Sequence, residues 1–126
     1  MEESDGGRIM EKIVEQGLLY DFYGELLTAH QRQIYESVVY ENLSLSEIAE
    51  EQGISRQGVH DIVKRCDKAL MKYEEKLKLI ARFQKMKEKI REMDDLTRRY
   101  EQNEADDKAA YCQKLRHLSA EILEAL

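Results

Sequence analysis

Arg56, Gln57 and His60 follow Ser55 at the start of a run whose apolar residues recur every three or four positions, and Asp61, Lys64 and Arg65 come next. If Ser55 caps a helix, these side chains project outward from its first turns, where a DNA-reading helix meets base edges. Arg56 suits guanine, Gln57 suits adenine and Lys64 suits phosphate. Lys64, Lys68, Lys72 and Lys76 step by four, so they lie along one gradually turning face that can track the phosphates of DNA or structured RNA. The same residues read equally as the solvated face of a structural helix. Asp61 opposes phosphate, Glu47, Glu50 and Glu51 precede it, and Glu74 and Glu75 soften the positive field.

Other chemistry has little support. His30, His60 and His117 are far apart, and the pairs His60/Cys66 and Cys112/His117 miss the four-residue spacing that puts two ligands on one helix face. No Gly-rich phosphate loop and no nucleophile–base arrangement is present. The sequence therefore implies no metal, no cofactor and no catalytic site, and the protein is not expected to be an enzyme. Cys66 and Cys112 read as reduced thiols of a cytoplasmic protein.

The elements that position Arg56 and its neighbours are legible from their caps. Leu45-Ser-Glu-Ile48-Ala49, then Gly53-Ile54-Ser55, then Val59 and Ile62 have helix-turn-helix spacing. Ala49 is small where two helices cross, and Gly53 permits the turn between them. Thr28-Ala-His-Gln31 and Ser44-Leu-Ser-Glu47 are capping boxes that open the two preceding helices. Upstream, Met10, Ile13, Val14, Leu18, Leu19, Phe22, Tyr23, Leu26 and Leu27 form a wide apolar stripe, with Gly17 and Gly24 suited to a close neighbour. Tyr20, Phe22, Tyr23, Tyr35 and Tyr40 follow the helical period and are expected in the core.

The helical pattern then runs almost without pause from Val59 to Tyr100. A break is expected near residues 100–103, and a last amphipathic helix over about 104–126, with Asn103, Asp106 and Asp107 suited to its start. The expected architecture is all-α: a flexible tail over 1–9, a helix-turn-helix domain over 10–68, and a helical extension over 69–126. From Cys66 to Tyr100 such a helix would reach about 52 Å. One subunit cannot cover a stripe that long, so a homodimer held by residues beyond Cys66 is expected, with α-helical fold-back as the companion possibility.

The 126 residues contain no proline, and 37% are charged. Charged outer faces around periodic Leu, Ile, Val, Met and Tyr mean amphipathic helices rather than disorder. No apolar run approaches the roughly 18 residues of a membrane span, so no membrane insertion is expected. Net charge is −6 but unevenly spread. Residues 1–63 carry 4 basic and 13 acidic groups, residues 64–91 carry 11 and 4, and residues 92–126 carry 5 and 9. A concentrated positive block can attract a polyanion despite the acidic total.

The stretch from Leu26 to Leu70 resembles the promoter-reading fourth region of bacterial sigma factors, a likeness of fold over about 45 residues. A closer resemblance covers about 10–83, through EQGLLYDFYGELLTAHQRQIY and LSLSEIAEEQGISRQGVHDIVKRCDK, and is to the YlxM family of small bacterial helix-turn-helix proteins. Gly58 departs from the family pattern, where Ala is expected, at a cost of about 1 kcal/mol in helix propensity. The resemblance implies an accessory or regulatory role in the signal recognition particle pathway, touching its RNA, its GTPase proteins or both. The motif alone points instead to a dimeric DNA-binding transcriptional regulator.

Overall fold

Helix boundaries fall where the capping chemistry puts them. A computed structural model describes residues 5–102 and 107–126, with side chains from residue 11 onward. The described residues form α1 (Asp5–Tyr23), α2 (Ala29–Val39), α3 (Leu45–Gln52), α4 (Arg56–Leu77), α5 (Leu79–Glu101) and α6 (Lys108–Ala125), with no strand among them. A 3₁₀ turn, Gly24–Leu26, follows α1. The expected all-α class is what the chain adopts. α1 begins at Asp5, so its first turn takes up part of the stretch expected to be a tail.

Both capping boxes are closed. Thr28 Oγ1 accepts from the Gln31 N–H at 3.2 Å while Gln31 Oε1 accepts from the Thr28 N–H at 3.0 Å. Ser44 and Glu47 repeat the exchange at 3.1 Å in each direction. Gly53 ends α3 in the left-handed region at φ 67°. Ser55 Oγ then accepts from the Gly58 N–H at 2.9 Å and opens α4. A Cβ on residue 58 would come within 3.1 Å of that same oxygen, so glycine leaves room for the cap.

The chain divides into two units, one ending at Lys78 and the other spanning Leu79–Leu126. In the first unit, α4 packs against α1, α2 and α3. Tyr23, Ile34, Tyr35, Ile48, Val59, Cys66 and Leu70 are almost fully buried there. Several expected core positions are not. Tyr40 is 57% exposed, because it lies at the end of α2 with its hydroxyl donating to Asp21 and its ring meeting Tyr20 edge-on at 5.5 Å. Val14 and Leu26 are exposed, and Ile62 is only half-buried while Val63 faces the core instead. The α1 stripe is wider than its neighbours can cover. Gly17 has no neighbour within 4 Å of a Cβ position, whereas at Gly24 a Cβ would strike the Tyr20 ring.

The helix expected to run from Val59 to Tyr100 is two helices. Lys78 adopts φ 54°, ψ 33°, and its N–H closes α4 on the Glu74 carbonyl at 2.8 Å. A left-handed residue with a Cβ costs about 1–2 kcal/mol, so local propensity does not favour a break here. In the second unit, α5 and α6 form an antiparallel hairpin. Tyr100 stacks on Tyr111 with ring centroids 4.3 Å apart, and Lys89 Nζ pairs with Glu121 Oε2 at 2.5 Å. Asp107 Oδ1 caps α6 by accepting from the Ala110 N–H at 2.8 Å. Thus α6 starts at Lys108, four residues later than expected, and Asn103 and Asp106 lie outside the described residues. Part of the stripe expected to require a second chain is covered by this chain's own last helix.

Candidate nucleic-acid interface

α4 is amphipathic along its length. Val59, Val63, Cys66 and Leu70 are its buried residues, and Lys64, Lys68, Lys72 and Lys76 lie on the opposite side, all exposed. At 100° per residue the two sets centre about 180° apart, so burying one necessarily presents the other. From Lys64 to Lys76 the ridge covers about 18 Å of helix axis. Arg65 lies beside it and is also exposed. Among the described residues none of these five cations makes an ion pair, whereas Lys89, Arg98 and Arg99 of α5 are all paired with carboxylates.

The break at Lys78 divides the basic block of residues 64–91 between the two units. Residues 64–78 hold six basic and three acidic groups; residues 79–91 hold five and one. The ridge on α4 therefore ends one turn after Lys72.

The front of α4 is differently furnished. Arg56 and Gln57 are exposed and His60 is half-buried. Gln57 Nε2 donates to Asp61 Oδ1 at 3.0 Å, and the same oxygen lies 3.8 Å from His60 Nδ1. Reading adenine takes both ends of the Gln amide, and one is already engaged with a carboxylate that repels phosphate. Of α3's acidic residues, Glu47 is committed to the Ser44 cap, while Glu50 and Glu51 are exposed. Arg56 is left as the one base-reading side chain without such an engagement among the described residues.

What holds α4 in place was not visible in the sequence. Asp67, half-buried on α4, accepts from the Tyr35 hydroxyl of α2 at 2.5 Å and from Gln16 Nε2 of α1 at 3.0 Å. One carboxylate thus ties three helices together on the flank of α4, between its buried face and its lysine ridge. Glu74, about two turns further on, accepts from Tyr23 Oη of α1 at 2.5 Å. Burial, then the bond to Asp67, pushes the Tyr35 phenol well above its ordinary pKa. Burial also pushes the Cys66 thiol up to about 11, with the Asp67 charge adding to the effect. Tyr and Asp have no sequence spacing that announces such a pair across 32 residues.

Ala49 and Val59 are both buried where α3 packs on α4. Ala49→Leu is expected to lower the unfolding free energy by about 1–3 kcal/mol through overpacking at that contact. Unchanged thermal unfolding would mean that residue 49 does not limit how closely the two helices approach.

No three His, Cys, Asp or Glu side chains converge on a metal-sized site among the described residues, and no helix is long and apolar enough to cross a membrane. Two capped helices joined through a left-handed glycine, on an all-α core, define a small helix-turn-helix protein. The chain belongs to the UPF0122 family, whose model, described as "Putative helix-turn-helix protein, YlxM / p13 like", matches residues 10–110. It is 41% identical over 98 residues to a UPF0122 protein of Desulforamulus reducens, covering 78% of this chain and 84% of that one. It is also 41% identical over 87 residues to UPF0122 protein YlxM of Bacillus subtilis, covering 69% and 79%. A relative from Symbiobacterium thermophilum is 37% identical over 116 residues, covering 92% of this chain and all of its own length. The family match continues past residue 83, where the resemblance read from the sequence stops, through α5 and into α6.

Proposed function

We propose that this protein is a non-enzymatic, cytoplasmic helix-turn-helix accessory of the signal recognition particle pathway that docks on nucleic-acid backbone through α4. The observation that carries the docking mode is the row of five exposed cations on one helix, without an ion pair among the described residues, beside a base-reading front partly neutralised by Asp61. Such a surface attracts phosphate without discriminating bases, as expected for a protein that reads the shape of a structured RNA. The pathway rests on the resemblance to the YlxM family, and the pathway's RNA and GTPase proteins are its natural partners. The α3 face, with Glu47, Glu50 and Glu51, is turned against a polyanion and leaves the lysine ridge as the side of approach.

A second reading is a DNA-binding transcriptional regulator, and the exposed Arg56 at the front of α4 favours it. One titration separates the two. Lys68→Glu, Lys72→Glu and Lys76→Glu together are expected to weaken binding to signal recognition particle RNA at least ~100-fold, and to flatten the slope of log affinity against log salt by roughly two to three. Arg56→Ala with Gln57→Ala is expected to change that affinity less than ~5-fold. Tight, sequence-selective binding to duplex DNA that is lost on Arg56→Ala would establish the regulator instead. If neither set alters binding to any nucleic acid, the module docks protein, and the pathway's GTPases become the partners to test.

A further inference from the structure

The α5–α6 hairpin is a poorly closed unit. Among its described residues only Ile80 and Leu118 are buried. Met86, Met93, Leu115 and Ile122 stay half-exposed, and Ile90 and Leu126 are 54% and 76% exposed. By helical phase these six lie on one side of the seam marked by Tyr100–Tyr111 and Lys89–Glu121. The other flank is an open groove where Leu96 and Leu118 lie among charged side chains, Glu92, Asp95, Arg99 and Lys114. Two helices alone supply one layer, and an apolar stripe of this kind is stable only against a second layer. At this size, oligomerisation is the ordinary way to provide one.

Charge selects the occupant. Residues 1–78 carry 10 basic and 16 acidic groups, whereas residues 79–126 carry 10 of each. The hairpin is thus the part of the chain that a second copy can approach without net repulsion. Its charge is also uneven along its length. Among the described residues its open end, 79–91 with 118–126, holds five basic and three acidic groups, while 92–102 with 107–117 hold five of each. An interface related by a two-fold axis is self-complementary, and here the positive ends of the two hairpins stay apart only if the two run antiparallel.

We infer that two copies of this chain pair through the Ile90–Leu126 side of their α5–α6 hairpins, antiparallel, to form a four-helix bundle. The pairing requires nothing of the α4 ridge and stands whether or not nucleic acid binds. In such a bundle the two Cys112 thiols, near the loop end of each α6, lie toward opposite ends, far beyond the roughly 7 Å Cα separation that a disulfide spans.

Sedimentation equilibrium of the full chain at 1–50 µM is the test, read against the 14.8 kDa subunit. The expected mass is twice the subunit mass. Ile90→Lys with Leu126→Lys, at two exposed positions that the monomer fold does not need, should raise the dissociation constant about 100-fold or more while leaving helicity unchanged. A monomeric wild-type mass at 50 µM overturns the inference, as does a dimer whose dissociation constant the two lysines leave unaltered. Mild copper-catalysed oxidation of the dimer checks the orientation. No rapid Cys112 cross-link within the dimer is expected, and its appearance would overturn the antiparallel arrangement.

Discussion

Asp67→Ala is expected to cost about 4 kcal/mol of unfolding free energy, although Asp67 is a half-buried surface-facing residue of a helix rich in exposed lysines. The loss comes from its partners. Tyr35 is 0% exposed and Gln16 is 6% exposed, so neither can turn to water when the carboxylate is removed. Each buried polar group left without a partner costs about 1–3 kcal/mol, and bonds to a charged acceptor lie at the upper end. Tyr35→Phe should cost less, about 2 kcal/mol, because Gln16 still satisfies Asp67. Urea unfolding followed by circular dichroism measures both. Equal, small effects would mean that the three-helix tie is not what holds α4. Because the tie fixes α4 against α1 and α2, Asp67→Ala should also weaken nucleic-acid binding by letting α4 shift, even though Asp67 itself repels phosphate.

Alkaline pH should destabilise the first unit steeply. The Cys66 thiol is raised from 9.0 to about 11, and the Tyr35 phenol is raised well above 10.0, in both cases chiefly by burial. A group whose folded pKa exceeds its unfolded one contributes stability that is intact below the unfolded pKa and is lost as pH rises from there toward the folded value. In that window the unfolded chain has released its proton while the folded chain retains it. Each group then takes away about 1.4 kcal/mol per pH unit. Between pH 9 and 11 Cys66 and Tyr35 together remove about 4 kcal/mol, a large part of the 5–15 kcal/mol of an ordinary domain. Tyr20, raised by burial and by its bond to Glu36, acts in the same direction. Thermal midpoints from pH 7 to 11 test this: they should hold up to about pH 9 and fall steeply above it. A flat profile to pH 11 would contradict the burial of these groups.

Sequence alone determined the elements whose signals are local. Thr28, Ser44 and Ser55 cap helices through oxygens that reach only three residues ahead, and Gly53 turns the chain because it lacks a Cβ. Those contacts span a few residues, so the order of residues specifies them. The placement of Lys64, Lys68, Lys72 and Lys76 on one exposed face followed from the same cause, since helical period fixes which side Val59, Val63, Cys66 and Leu70 bury.

Tertiary structure decided what depends on distant residues. Lys78 breaks the helix with neither Gly nor Pro nearby, which local propensity would not choose. The one sign in the sequence is the run of three-residue steps Leu77–Ile80–Phe83–Met86, a slip of helical phase at the break. Tyr40 escapes the core and Val63 replaces Ile62 because burial is set by how far neighbouring helices extend, not by a residue's own period. Asp67 became the anchor of α4 only when α1 and α2 brought Gln16 and Tyr35 to it. Neither the 51-residue nor the 32-residue separation leaves a pattern in the chain, since a hydrogen bond constrains where two groups meet in space and not how many residues lie between them.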